Sequence, residues 1–135
     1  MQVIDTFDDQ QLEQLHQLYQ QAWWSASRSL DDTRRGVQGS QLCLGLVNPQ
    51  HELVGFARVL TDYTFKALIF DLIVRQDLRG QGHGQRLLEL IKSHEKLSRV
   101  LHFELYCLPE ITDFYAAHGF TLNVDGVQLM RLRKT

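Results

Sequence analysis

The sequence predicts a mixed α/β fold: a single domain, residues 1-135, with a mixed central β-sheet flanked by helices. Three observations lead there. Apolar residues recur at i, i+3, i+4, i+7 near the N-terminus, the signature of an amphipathic helix. Strand-like segments follow, two of them joined by turn residues as in a hairpin. Then strand and helix patterns alternate, starting at the glycine-rich stretch RGQGHG, Arg79 to Gly84.

The elements follow in order. Leu12, Leu15, Leu18, Tyr19 and Ala22 mark a helix over Asp8 to Trp24, with Thr6 and Asp9 as its capping start. A shorter helix is expected over Leu30 to Gln38, capped by Ser29 and stopped by Gly39. QLCLGLV (41–47) and ELVGFARVL (52–60) read as strands joined by the turn residues NPQH (48–51). KALIFDLIV (66–74) is apolar on both faces, which places it centrally in a sheet. QRLLELIKSHEKL (85–97) reads as a helix and VLHFELYC (100–107) as a buried strand. PEITDFYAAHGF (109–120) gives a short helix closed by Gly119, and VQLMRLRK (127–134) a last alternating strand.

Bulk properties narrow the function. The chain has 135 residues, 44% hydrophobic and 22% charged, the balance of a globular protein. Lys and Arg number 14 against 16 Asp and Glu, a formal net charge of -2, so no broad basic field points to nucleic acid. Apolar runs are strand-sized, which argues against a membrane partner. The acidic opening MQVIDTFDDQ lacks a signal pattern, so a cytoplasmic setting is expected. Cys43 and Cys107 read as buried packing residues, and six scattered histidines give no metal spacing.

RGQGHG falls at a strand-to-helix junction. The first N–H groups of a helix lack partners and carry partial positive charge, and glycine removes the Cβ that would hold an anion away. A phosphate site results, with Arg79 and Arg86 at its rim. Two nucleotide motifs fail on spacing. Gln85 stands where a dinucleotide fingerprint needs its third glycine, and no Gly-Lys-Ser/Thr follows for a P-loop. A purely structural turn stays open.

The spacing Arg-x-x-Gly-x-Gly within VRQDLRGQGHGQRLL (74–88) resembles the pyrophosphate loop of the GNAT superfamily of acyl-CoA-dependent N-acyltransferases. FYAAHGF (114–120) is similar to that family's Tyr-x-x-x-Gly-Phe segment, with Tyr115, Gly119 and Phe120 in place. The resemblance implies a GNAT-like fold and acetyl-CoA as acyl donor. Backbone N–H groups of Arg79, Gly80, Gln81, Gly82, His83 and Gly84, with Gln85 at the helix start, would bind the pyrophosphate. Ile73 and Val74 would pair with the pantetheine arm, between strands 66–74 and 100–107 splayed apart. Tyr115 would protonate the departing thiolate. The family's Asn after the fifth strand has no counterpart in CLPEITD (107–113), and His83 stands where an aliphatic residue is usual.

The proton acceptor stays open among Asp71, Glu104, His102, Tyr106 and a water chain. Asp71 interrupts ALIF-D-LIV, and a structural hydrogen bond explains it equally well. Trp23 and Trp24 would form an aromatic wall for the acceptor, or else pack in the core. Asp62, Asp71 and Glu104 would suit a cationic amine. The expected reaction is acetyl transfer from acetyl-CoA to a primary amine by direct attack on the thioester in a ternary complex. The alternatives are a non-catalytic CoA-binding module and an interaction domain. Exposed sheet edges are compatible with a homodimer.

Overall fold

Asp8 starts the first helix, β1 having come before it at Gln2–Ile4. The structure, a computed structural model, describes residues 1–134. Helix α1 covers Asp9–Tyr19, and its capping box is made by Asp8 and Gln11, not by the expected Thr6 and Asp9. It stops before the expected Trp24. The buried Ser25 hydroxyl donates to the Tyr19 carbonyl at 2.7 Å and draws the chain back into a turn. Helix α2, Leu30–Gln38, starts at Ser29 and ends at Gly39 as expected.

Strands β2 (Leu42–Val47), β3 (Leu53–Thr61) and β4 (Lys66–Val74) form an antiparallel meander. Helix α3 covers His83–Lys92, and β5, His102–Leu105, pairs parallel to β4. The sheet order is β1-β2-β3-β4-β5. Strand β1 is too short to carry a periodic signal; it forms because β2 offers an edge, with Ile4 opposite Gly45. An added Cβ would crowd its neighbours at that point, lying 2.8 Å from Leu53 Cδ1 and 3.0 Å from Ile4 and Phe7.

Two faces of the sheet are covered. Leu15, Leu18 and Tyr19 of α1 pack with Cys43, Val47, Phe56 and Ile73 on one. Leu87 of α3 approaches Gly55 on the other, where an added Cβ would be 3.3 Å from it. Burying those three α1 side chains contributes roughly 5–9 kcal/mol before entropy, at about 1.5–3 kcal/mol each.

Several expectations are corrected. Helix α3 begins two residues before Gln85 and ends at Lys92, where Ser93 Oγ bonds back to the Glu89 carbonyl; Glu95–Leu97 is a separate single turn. Strand β5 is partly exposed and ends the sheet, so it is an edge strand and not a buried one. Cys43 is buried, and burial pushes its thiol up to about 11, whereas Cys107 is only partly buried.

The chain divides into two compact units, Met1–Leu105 and the segment from Tyr106 onward. The second unit holds a single turn, Pro109–Ile111, and helix α4, Thr112–Ala116. Gly119 ends it with φ +93°. The strand expected over 127–134 does not form among the described residues: Leu129, Met130 and Leu132 are 60%, 91% and 90% exposed. Alternation alone cannot make a strand without a ladder partner.

Candidate active site

Strand β4 is paired to β5 only from Lys66, opposite His102, to Ile69, opposite Leu105. Asp71 to Val74 lie beyond that described pairing. A bulge marks the start of this stretch: Phe56 faces Ile73 and Arg58 faces Phe70, so Ala57 stands opposite both Asp71 and Leu72. Asp71 takes the extra position with φ +58°, a conformation aspartate tolerates better than most residues. Ile73 is buried and Val74 half-buried.

The glycine turn follows at once. After a single turn at Gln76–Leu78, Arg79 is extended and its Nε donates to the Val74 carbonyl at 3.1 Å. Gly80 and Gly82 have φ +80° and +88°, the left-handed region that glycine enters without cost. A Cβ at either would meet nothing within 4 Å. The glycines therefore serve the backbone's path, and the space beside them is open. Gly82 caps α3 without a side-chain hydrogen bond, and no acidic residue lies in its first turn. His83, Gly84 and Gln85 thus present the first N–H groups of a ten-residue helix, with Gln81 exposed just before them. Arg86 Nη1 likewise donates to a backbone carbonyl, that of Met1 at 3.3 Å, and both arginines expected at the rim are exposed.

Asp71 lies in a cluster the sequence did not reveal. Its side chain is 6% exposed. It accepts from Arg28 Nη1 at 2.6 Å and Nη2 at 3.2 Å, from Arg58 Nε at 2.6 Å, and from the Tyr19 hydroxyl at 2.9 Å. Burial raises its pKa, but the hydrogen bonds and charges of Arg28 and Arg58 outweigh burial and leave it below the usual carboxylate range. Burial, followed by the Asp71 charge, pushes the Tyr19 hydroxyl far up. A carboxylate held this way is a poor proton acceptor at neutral pH. Arg58 had a readable signal, as a charge inside the apolar run ELVGFARVL that mirrors Asp71 in the next strand. Arg28 and Tyr19 had none.

The other expected carboxylates are also engaged. Asp62 accepts from the backbone N–H groups of Thr64, Phe65 and Lys66, which hold the β3–β4 turn and lower its pKa. Glu104 pairs with Lys66 at 3.0 Å, and the same ammonium meets His102 Nδ1 at 3.1 Å. Trp23 is 77% exposed and Trp24 40%, so neither is core. The Trp24 ring already carries a cation, the Arg28 guanidinium 5.4 Å from its centroid. In the second unit, Tyr115 packs edge-on against Phe114 and Phe120. Burial, then the nearby Cys107, pushes its hydroxyl up to about 12, so it keeps its proton at neutral pH. Among the described residues no group of three or more His, Cys, Asp or Glu could hold a metal ion. None of their helices is long and apolar enough to cross a membrane.

The chain combines a mixed sheet, a stretch of inner strand beyond its described pairing with β5, a glycine turn and a helix start without a side-chain cap. The GNAT acetyltransferase domain matches residues 39–122, and the chain belongs to that family. An N-acetyltransferase described as uncharacterized, ycf52 of Gracilaria tenuistipitata var. liui, is 30% identical over 122 residues, 88% of this chain and 66% of that protein. The chloroplastic GCN5-related N-acetyltransferase 2 of Arabidopsis thaliana is 28% identical over 104 residues, 77% of this chain and 38% of that protein. The chain thus spans less than two thirds of either relative. A solved GNAT-family structure from Xanthomonas campestris superposes with a TM-score of 0.79 at 28% identity, covering 99% of this chain and 94% of that one.

Proposed function

We propose that the protein moves the acetyl group of acetyl-CoA to a primary amine by direct attack in a ternary complex. One observation carries this reading: Asp71–Val74 of β4, beyond the described pairing with β5, lead into the Gly80–Gly82 turn and the start of α3, which has no side-chain cap. Ile73 and Val74 offer backbone groups to the pantetheine arm, and Arg79 through Gln85 offer N–H groups to the pyrophosphate. The amine nitrogen attacks the thioester carbon, the C–S bond breaks, and the thiolate takes a proton. The family pattern gives that proton to Tyr115, whose raised pKa keeps the hydroxyl protonated at neutral pH. The amine's own proton goes to Glu104 or to water. Asp71 acts as a positioning residue that fixes the bulge. Trp23 and Trp24 are assigned to the acceptor, and Asp62 shapes the neighbouring turn. A cytoplasmic setting and a homodimer belong to the same reading.

Thermal unfolding with acetyl-CoA, against ATP and NAD as controls, tests the site. At a hundred times its Kd a ligand adds ~2.7 kcal/mol, a rise of several degrees in the midpoint. Thiol release that needs both acetyl-CoA and an amine tests the reaction. Binding with no turnover across an amine panel would favour a CoA-binding module instead.

A further inference from the structure

The three carboxylates expected to receive a cationic acceptor are occupied by this chain's own donors: Asp62 by backbone N–H groups, Glu104 by Lys66, Asp71 by two guanidinium groups. Around Asp71 the balance is one carboxylate against two arginines, a net charge of +1. Arg28 is the accessible member, 32% exposed against 18% for Arg58. Nη1 and Nη2 each give Asp71 one N–H of the guanidinium's five, which leaves donors for a further acceptor, and its flat faces lie against Tyr19, 4.7 Å from the centroid, and Trp24.

The position of Arg28 is built, not incidental. Its backbone carbonyl accepts from His16 Nε2 at 3.0 Å and from Gln20 Nε2 at 3.4 Å. A guanidinium locked by stacking and by a carboxylate keeps donors pre-aimed for a second anion at little entropic cost. The acidic side chains next along the chain, Asp31 and Asp32, are exposed in the first turn of α2, where they complement its dipole. Arg28 closes the segment that begins with the exposed Trp23, and its partner Asp71 lies two residues before Ile73 in β4, beyond the described pairing with β5.

Resting on the acetyltransferase reading above, we propose that the acceptor is an amine that also carries an anionic group, a carboxylate or a phosphate, and that Arg28 receives that group. A dicationic amine meets a net positive cluster there and a tryptophan face already holding a cation.

The test compares four amines of similar length in the acetyl-CoA-dependent thiol-release assay: 4-aminobutyrate, 3-aminopropyl phosphate, n-butylamine and 1,4-diaminobutane. At least one anionic amine should exceed the diamine tenfold or more in kcat/KM, mostly through KM, and the two anionic arms separate carboxylate from phosphate. In Arg28→Gln that ratio should shrink toward one. Arg28→Lys, which keeps the charge, should restore part of it, and Arg34→Gln, a matched charge loss on α2, should leave it unchanged. A preference for the diamine, or a ratio unmoved in a folded Arg28→Gln, overturns the proposal. Absence of any thermal shift with acetyl-CoA overturns the reading beneath it instead. A shift with acetyl-CoA but no anionic preference overturns this inference alone.

Discussion

Asp71 shows how one side chain changes meaning once its neighbours are known. In the sequence it is a charge stranded in an apolar run; in the fold it accepts four hydrogen bonds from three residues. Its folded pKa is depressed, so it adds stability above its unfolded pKa of about 3.9, and that share is lost as pH falls through the folded value. Asp71→Asn should cost about 3 kcal/mol near neutral pH, roughly ten degrees in the unfolding midpoint, because two arginines lose their counter-charge. The gap to wild type should narrow on acidification below about pH 4. A pH series of urea unfolding curves checks this, and a gap independent of pH would remove the charge from the account. Tyr115→Phe should lower kcat about tenfold to a hundredfold. With its pKa pushed up to about 12, Tyr115 should add no falling limb to the rate profile between pH 7 and 10.

Helices and strands were mostly legible because their signals are local. Helix α2 has its cap, periodicity and stop within eleven residues, from Ser29 to Gly39, and it forms as read. Where reading failed, a partner decided. Strand β1 exists because β2 has an edge, and 127–134 remains without a strand because alternation supplies no ladder. Beyond the early ends of α1 and α3, Ser25 and Ser93 bond back to backbone carbonyls, contacts that periodicity does not register. Two glycine substitutions separate conformational from steric need. Gly82→Ala should cost about 1–2 kcal/mol through its positive φ and weaken acetyl-CoA binding, since the space around it is open. Gly45→Ala should cost about 1–3 kcal/mol by crowding Leu53, Ile4 and Phe7 while leaving acetyl-CoA affinity intact. Chemical denaturation with a ligand titration for each variant distinguishes the two.

For the whole molecule, the sequence by itself determined the mixed α/β class, the glycine turn and the two motifs that mark the family. These depend on backbone requirements met by near neighbours: glycine where φ is positive, a cap at a helix start, alternation along a strand. Only the tertiary structure decided where β4 parts from β5 and which charges are already spent. Asp71 meets Arg58, Arg28 and Tyr19 across 13, 43 and 52 residues of chain, separations over which no local pattern carries information. Those partners are brought together by the burial of α1 on the sheet and by the register of β3 against β4, and that packing turns a candidate proton acceptor into an anchor.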